Sequence, residues 1–456
     1  MLPWLSPADQ TRYSQHDLPD LSLPIHIEPW LDPSAQGRNW QITNASATQD
    51  RLRQLSDPTR WGWPKKPLFF FTDLHADPTA FTASLIASGL MTPFGATNSS
   101  LGLTLPSDAF EIVIGGDCFD KGPSNLGVLR LLKTLLDQNL KLTLLAGNHD
   151  LRMLLAMRSI LESHPASRYL LIRLGRKVIP FFQELLNEYT LSADVLQTLP
   201  DEASCQERLL PNATTSDVFK KATQSFMTEQ QTARELERLA YRADAFKRYA
   251  KDAQLSFRDI YAAIYLWREA FLSPEGEFFW FFEQQQLGYQ VGSFLFLHAG
   301  CDDEMANFLA EHSCKQLNQT YQMALDGDPL RLYFGALGNM IRTKYRSIDP
   351  VLTPLGANAL DQAGITALVH GHRNLHHGQR ISLRSNVLHF ECDTTINHPS
   401  RTAESLKGQG AGVTVIHPEG YVLGISSDYP ACKHFDLSSL STFASVLSTR
   451  TTTGSS

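Results

Sequence analysis

The sequence has few cysteines, and none lies in a paired motif. Its six cysteines are scattered along 456 residues, without a Cys-x-x-Cys pair. A secreted domain held together by disulfides would need a denser and more regular pattern. We therefore expect reduced thiols in a reducing compartment.

Long apolar runs and an excess of positive charge are also missing. No stretch is long and apolar enough to span a bilayer. The first residues, Met1-Leu2-Pro3-Trp4-Leu5-Ser6, have neither the basic region nor the apolar core of a signal peptide. The net charge of -7 argues against general affinity for nucleic acids or anionic membranes. We expect a cytoplasmic protein without a membrane partner, and nucleic acid is disfavoured as a ligand.

The chain is long enough for a large core and more than one lobe, since 43% of its residues are hydrophobic. Residues 1–66, rich in Pro and Trp, are predicted to form an irregular arm packed on the core. Residues 67–150 and 291–435 carry the strand signals and form that core. Residues 151–290 have helix signals only and predict a helical insertion that caps the active site. Residues 436–456 are predicted to be a disordered tail.

Strands alternate with helices in the first core segment, which predicts parallel βαβ units and an α/β fold. The helices there are Pro78–Gly89 and Asn125–Asn139, each with apolar residues at helical spacing. Further on, Ser216 and Asp217 predict the start of one long helix toward Ala250. Asp303–Leu325 is predicted as another single helix.

Five apolar runs that predict buried strands each end in polar residues of metal-binding type. A single Asp-x-His is more often a surface loop, but recurrence at five strand ends favours a shared site. Carboxylates, imidazoles and a carboxamide gathered there can hold two divalent cations. The clusters are Asp73-Leu74-His75, Asp117 to Asp120, Asn148-His149-Asp150, His298, and His370-Gly371-His372.

In order and in strand context, these clusters resemble the motifs of the calcineurin-like metallophosphoesterases, and more closely those of their phosphoprotein-phosphatase (PPP) branch. The absence of a second His after Gly371-His372, and the segment Glu391-Cys392-Asp393-Thr394, favour that branch. The resemblance implies a four-layer αββα sandwich of two packed sheets flanked by helices. The matching segments are Asp73-Leu74-His75-Ala76, Gly116-Asp117-Cys118-Phe119-Asp120-Lys121-Gly122, Gly147-Asn148-His149-Asp150, His298-Ala299-Gly300 and Gly371-His372.

The resemblance also implies a centre of two divalent metal ions. Mn²⁺ is the expected metal, and Fe and Zn are the alternatives. A metal-bound hydroxide would attack phosphorus without a covalent phosphoenzyme. By position in the motifs, the ligands would be Asp73 and His75 for the first ion, Asp117 as the bridge, and Asn148, His298 and His372 for the second.

The remaining motif residues acquire catalytic roles from the same resemblance. His149 would be the general acid for the leaving group, and Asp120 would orient its imidazole. Lys121 would face the phosphate in place of the family's usual Arg. Because Lys cannot make the two-pronged contact that Arg makes with phosphate, a further Arg should complete the clamp. The candidates are Arg331, Arg342 and Arg346, of which we favour Arg342.

Asp150 stands where the family has Glu, and Ala76 where it has Gly; both changes are mild. The predicted function is hydrolysis of a phosphomonoester, either phosphoserine or phosphothreonine on a protein or a small phosphorylated metabolite. A phosphodiesterase or a dinucleoside-polyphosphate hydrolase is the alternative enzyme. A metal-binding interaction module that has lost catalysis is the alternative of another class. A nuclease is kept open only by basic residues of the insertion, which are Lys220, Lys221, Arg234, Arg238, Arg242, Lys247 and Arg248.

Overall fold

Two β-sheets pack face to face in the computed structural model, which describes residues 2–5, 13, 20–42, 48–91 and 102–453. The apolar layer between them contains Phe70 and Val113 from one sheet and Phe296 and Val369 from the other. The rings of Phe70 and Phe296 lie 5.6 Å apart across this layer. Helices cover the outer faces, and the predicted α/β sandwich is confirmed.

The larger sheet has the strand order β1-β14-β13-β12-β3-β4-β5-β6, and the smaller has the order β2-β10-β11-β9-β8-β7. The strands are β1 (Ile27–Pro29), β2 (Trp40–Ile42), β3 (Leu68–Phe71), β4 (Glu111–Ile114), β5 (Leu142–Leu145), β6 (Gln285–Gln286), β7 (Gly288–Val291), β8 (Phe294–Leu297), β9 (Ala367–His370), β10 (Arg380–Arg384), β11 (Val387–Glu391), β12 (Gly412–His417), β13 (Tyr421–Ser426) and β14 (Cys432–Asp436).

The described helices are α1 (Thr48–Leu55), α2 (Pro78–Ala87), α3 (Asn125–Asp137), α4 (Asn148–Leu161), α5 (Ser167–Leu174), α6 (Ile179–Glu188), α7 (Ala193–Thr198), α8 (Glu202–Leu209), α9 (Thr215–Thr223), α10 (Glu229–Asp252), α11 (Phe257–Phe271), α12 (Phe279–Glu283), α13 (Asp303–Glu311), α14 (Cys314–Leu325), α15 (Pro329–Phe334), α16 (Ala336–Asn339), α17 (Pro354–Gln362), α18 (His398–Ala403) and α19 (Leu437–Thr453). A 3₁₀ turn over Gly175–Val178 joins α5 to α6.

The five apolar runs of the sequence are strands β3, β4, β5, β8 and β9. Strands β3, β4 and β5 pair in parallel, as do β8 and β9. Parallel neighbours present their carboxyl ends at the same edge of a sheet. The polar clusters that follow these strands are therefore gathered by the topology itself.

The N-terminal arm is more regular than the sequence predicts. Strand β1 pairs with β14 at one edge of the larger sheet, and β2 pairs with β10 at one edge of the smaller. Trp30 and Trp40 are buried within it. The arm thus packs on the core, but it does so by contributing one strand to each sheet.

Two predicted helices are each divided in two. The long helix toward Ala250 breaks between α9 and α10, where Thr228 caps α10 with a capping box to Gln231. The helix Asp303–Leu325 breaks before α14, where Ser313 and Gln316 form the same device. A Ser or Thr followed three residues later by Gln is a start signal, and here it outweighs continuous helical spacing.

The predicted disordered tail is wrong for residues 437–453, which form helix α19. The apolar residues Leu440 and Phe443 are buried, and the ring of Phe443 lies 4.7 Å from that of Trp40. These apolar positions drive the helix onto the arm despite its many Ser and Thr residues. Residues 454–456 lie outside the described part of the chain.

Among the described helices, none combines the length and apolarity needed to cross a bilayer. The six cysteines are free and buried.

Replacing Phe443 by Ala should destabilise the protein by about 3–5 kcal/mol, because it removes a buried aromatic side chain at the junction of tail and arm. Urea unfolding measures this change. Ser441→Ala, on the exposed side of the same helix, is the matched control and should shift the midpoint little. Equal stability of the Phe443→Ala and wild-type proteins would mean that α19 does not dock.

Candidate active site

Loops from both sheets meet at one place, and their backbones are bonded to one another. After β3, the N–H groups of Asp73 and His75 donate to the carbonyls of Gly116 and Asp117, at 3.1 and 2.8 Å. The N–H of His372, which follows β9 in the other sheet, donates to Oδ2 of Asp73 at 2.9 Å. Motifs far apart in sequence therefore form one continuous rim.

Several residues of this rim adopt a left-handed backbone. The φ angles of Asp73, His75, Asp117 and His372 are 56°, 46°, 56° and 69°. Such values are uncommon outside glycine and cost about 1–3 kcal/mol each. Tight turns of this kind aim side chains from separate strand ends at a common point.

Two glycines allow the loops to approach closely. A Cβ atom on Gly371 would lie 2.0 Å from Oδ2 of Asp73, and one on Gly147 would lie 2.0 Å from the N atom of Asp117. Both distances are far below van der Waals contact. Only glycine fits between these loops, so the small residues before His372 and Asn148 are needed sterically.

A buried carboxylate holds the central loop in shape. Oδ2 of Asp150 accepts hydrogen bonds from the N–H groups of Asp117 and Gly147, at 2.8 and 3.0 Å. Oδ1 accepts from those of Cys118 and Phe119, at 2.8 and 3.3 Å. Asp150 thus ties the loop after β5 to the loop after β4. Apart from an acidic residue at the third position of a helix, no local pattern indicates this role.

The same loop is anchored in the helical segment by an aromatic side chain. Phe119 is fully buried, and its ring lies 5.4 Å from that of Phe181, 5.9 Å from that of Phe271 and 5.5 Å from that of Phe281. Residues on either side of Phe119 face the site. Packing of the helices therefore helps to fix the position of Asp117 and Asp120.

Each of three histidines uses one ring nitrogen on a backbone carbonyl. Nδ1 of His298 lies 2.7 Å from the carbonyl of Gly115, Nε2 of His372 lies 3.1 Å from that of Arg342, and Nδ1 of His75 lies 3.3 Å from that of Phe119. A carbonyl only accepts, so these nitrogens carry the protons. The opposite nitrogens, with their lone pairs, face the centre, which is how ligating histidines are oriented.

Asp117 lies between these lone pairs. Its Oδ1 is 3.5 Å from Nε2 of His298, and its Oδ2 is 3.8 Å from Nε2 of His75. Oδ1 of Asp73 is 3.7 Å from the same atom of His75. Burial disfavours a charged Asp117, but the facing histidines outweigh burial and hold its pKa well below the usual value. Burial is also outweighed at His298, where Asp117 and Asp73 raise the pKa to about 10.

The donor set fits divalent cations. Oδ1 of Asn148 lies 3.3 Å from Nε2 of His298, and Nδ1 of His372 lies 3.2 Å from that nitrogen. With the Asn148 amide turned over, its nitrogen donates to Nε2 of His298 at 3.3 Å and to Nδ1 of His372 at 2.8 Å, whereas with its oxygen inward the three groups suit a shared cation. Ligand atoms of His75, Asp117 and His149, and of Asp117, His298 and His372, form two groups within 4.8 Å that share Asp117.

Lys121 brings its charge directly to this centre. Its Nζ lies 2.6 Å from Nε2 of His75, the atom that would face a metal ion. The ammonium group thus takes the place next to Nε2 that a metal ion on His75 would take. Lys121 also lines open space on its other side.

His149 and Asp120 form a buried pair beside the centre. Nδ1 of His149 lies 2.7 Å from Oδ2 of Asp120, and Nε2 lies 3.9 Å from Oδ2 of Asp117. Burial raises the pKa of Asp120 to about 6, and burial with the nearby Arg152 lowers the pKa of His149 well below its usual value. A buried pair that shares one proton carries no net charge, so it avoids the cost that each group alone would incur.

The structure gives the predicted clamp residue Arg342 another environment. Its guanidinium lies over the rings of Tyr333 and Phe334, at 4.9 and 5.4 Å, while its backbone carbonyl holds His372. Arg152, which the sequence analysis did not consider, is nearer the predicted general acid. Its Nε donates to the carbonyl of Asn148 at 3.0 Å. Its place three residues after His149 on a helix was the signal that could have identified it.

Comparison with known families gives one match. Residues 66–237, fewer than half of the 456 residues, match the family model of the calcineurin-like phosphoesterases. The predicted resemblance to this family is confirmed over these residues. The match ends within α10, so the positions of His298 and His372 rest on the topology of the second sheet. Among curated proteins, none matches this sequence.

Solved structures of phosphatases show a distant likeness in fold. A structure of a cold-active protein tyrosine phosphatase has 13% identity and a TM-score of 0.44, with 82% of this chain and 80% of that chain covered. A cold-active protein-tyrosine phosphatase of a psychrophilic Shewanella species has 12% identity and a TM-score of 0.39, with 81% and 80% covered. A protein serine/threonine phosphatase from Saccharomyces cerevisiae has 10% identity and a TM-score of 0.34, with 82% and 84% covered.

Replacing Asp150 by Asn should loosen the central loop, because an amide nitrogen cannot accept the N–H groups that Oδ1 and Oδ2 now receive. We expect a loss of about 1–3 kcal/mol in stability and a loss of about 10–100-fold in Mn²⁺ affinity. Thermal unfolding and calorimetric Mn²⁺ titration measure the two effects. Asp326→Asn, at an exposed ion pair, is the control, and an unchanged Mn²⁺ affinity in Asp150→Asn would contradict the clamp.

Proposed function

We propose that the protein hydrolyses phosphomonoesters at a centre of two divalent metal ions, with Mn²⁺ as the expected metal. The observation that carries this proposal is the Asp120–His149 pair beside the Asp117-centred ligand set. Metal-binding residues alone would suit a binding module. A buried imidazole held by a carboxylate, with its second nitrogen toward the centre, is in addition what proton transfer to a leaving group requires.

In the proposed centre, Asp73 and His75 would hold one ion, Asn148, His298 and His372 would hold the other, and Asp117 would contribute to both. Two ions so held would supply an activated water and neutralise charge on the phosphoryl oxygens. The backbone carbonyls that bond His75, His298 and His372 keep the lone pairs in place. The protein's contribution is thus a rigid frame that needs little rearrangement.

His149 acts as the general acid in this proposal. Oδ2 of Asp120 accepts from Nδ1–H and stabilises the imidazolium form, in which Nε2 also carries a proton and can pass it to the leaving alkoxide. The N–H of His149 donates to Oδ1 of Asp117 at 2.7 Å, which fixes the imidazole relative to the bridge. We further propose that Lys121 and Arg152 bind the phosphoryl oxygens, in place of the predicted Lys121 and Arg342.

The basic face of α10 gives little support to the nuclease alternative. Arg238 and Arg242 lie 3.7 and 3.6 Å from Glu235, and Lys247 lies 3.7 Å from Asp244. These ion pairs neutralise part of the face. The phosphodiesterase and polyphosphate-hydrolase alternatives differ from the proposal in substrate only, so substrate tests decide between them.

After chelation, restored Mn²⁺ should allow hydrolysis of p-nitrophenyl phosphate in preference to bis-p-nitrophenyl phosphate. Asp117→Asn should abolish this turnover, since the bridge is lost. Release of p-nitrophenolate is the measurement. A preference for the diester would identify a phosphodiesterase, and no turnover by a Mn²⁺-loaded protein would favour the binding module.

His149→Asn should lower kcat by about 10²–10⁴-fold, the usual contribution of a general acid. Because His149 is not a ligand in the proposal, Mn²⁺ content should stay at the wild-type level, as measured by elemental analysis of the dialysed protein. His376→Asn, at an exposed histidine, is the control. Loss of one metal ion in His149→Asn would instead make His149 a ligand, as its proximity to His75 and Asp117 allows.

A further inference from the structure

A second cavity adjoins the proposed active site, between the central loop and the helical segment. It has a volume of about 390 Å³. Asp120, Lys121 and Gly122 form its core side, and Arg176 and Lys177 of the 3₁₀ turn face them. The end of α10 forms a third wall with Tyr249, Asp252 and Ala253. Lys121 therefore belongs both to the site and to this cavity.

The cavity is lined by more cationic side chains than carboxylates. Arg176 and Lys177 form no ion pair with a carboxylate in the described part of the chain, and neither does Lys121. Arg176 instead donates to the hydroxyl of Tyr249, with its guanidinium 5.0 Å from the ring centre. Of the two carboxylates that line the cavity, Asp120 is bonded to His149, which leaves Asp252 as the opposing charge.

The cationic residues are also close enough to repel one another. Partial burial, Lys121 and Arg152 together lower the pKa of Lys177 to about 8. Lys121 and Lys177 both act electrostatically on His75, the proposed ligand of the first ion. An anion between these cations would relieve the repulsion.

The position of Lys177 is fixed by the fold. Helix α6 begins two residues after it, and Glu184 on α6 accepts from the N–H groups of Asn125 and Leu126, at 2.9 and 3.0 Å. Glu184 thereby binds the start of α3, the helix that follows the central loop. The turn that carries Lys177 is therefore anchored to the core through α6.

We propose that this cavity is a second anion subsite, so that the substrate is a small phosphomonoester that carries a further phosphate or carboxylate group. This inference rests on the proposed function. The cleaved phosphoryl group lies at the metal centre with Lys121 and Arg152, while the second anion lies against Lys177 and Arg176. A volume of about 390 Å³ suits part of a small molecule and gives the protein a reason to prefer such compounds to phosphopeptides.

The test compares three substrates that differ at one end: propyl phosphate, 1,3-propanediol bisphosphate and 4-(phosphonooxy)butanoate. For the Mn²⁺-loaded wild type, kcat/KM should be about tenfold or more higher for at least one of the two substrates with a second anionic group than for propyl phosphate. This factor is the value of one charge-assisted contact. In Lys177→Ala and in the double variant Arg176→Ala/Lys177→Ala, the kcat/KM of that substrate divided by the kcat/KM of propyl phosphate should fall toward one. Whichever substrate gains more distinguishes a phosphate from a carboxylate subsite.

Lys220→Ala, an exposed lysine on α9, is the matched control and should keep the wild-type ratio. Thermal unfolding of each variant verifies that it folds. An equal ratio in wild type and Lys177→Ala overturns the subsite but leaves the proposed function intact. The subsite is also overturned if a peptide with phosphoserine as its only charged side chain is cleaved faster than all three compounds.

A second measurement separates the subsite from catalysis. Calorimetric titration in chelator follows binding of 1,3-propanediol bisphosphate to the metal-free wild type and to Lys177→Ala. Tighter binding to wild type by about tenfold supports the subsite even if no substrate is turned over, in which case only the proposed function fails. No difference in binding, together with no difference in kcat/KM, overturns the subsite.

Discussion

The carboxylate of Asp150 is the interaction on which the rest of the site depends. It accepts four backbone N–H groups, three from the loop after β4 and one from the loop after β5. Asp117 and Asp120 lie on the first of these loops, and His149 lies in the first turn of α4, directly after the second. The clamp therefore helps to fix the distances between these side chains. Burial and Asp117 raise the pKa of Asp150 to about 7, and the four donors offset part of the cost of burying this carboxylate.

The site brings together groups that repel one another. Lone pairs of His75, His298 and His372 and the oxygens of Asp73 and Asp117 face one centre, on turns whose φ angles are positive. Strain and mutual repulsion at one point favour a cation there. A proton on His298, whose pKa Asp117 and Asp73 raise to about 10 against the effect of burial, is one cation that can meet this need, and divalent metals are the others.

The strands, and the grouping of the candidate ligands at one place, were predictable because both leave local marks in the sequence. Apolar runs ending in Asp, Asn or His identify β3, β4, β5, β8 and β9, and their parallel pairing brings the ends together. What was not predictable depends on partners distant in sequence. Helix α19 forms because Phe443 meets Trp40, and the guanidinium of Arg342 stacks on Tyr333. The role of Asp150 becomes visible only when the structure shows the four N–H groups that it accepts.

The two strands of the arm also constrain how the protein can be made. Strand β1 pairs with β14, and β2 pairs with β10, so both leave the ribosome long before their partner strands are made. Neither sheet can close its edge during synthesis, and unpaired edges are prone to association. Strands of three residues, one ending in Pro29, offer little to a wrong partner in that interval. The brevity of β1 and β2 thus protects the nascent chain until its C-terminal strands arrive.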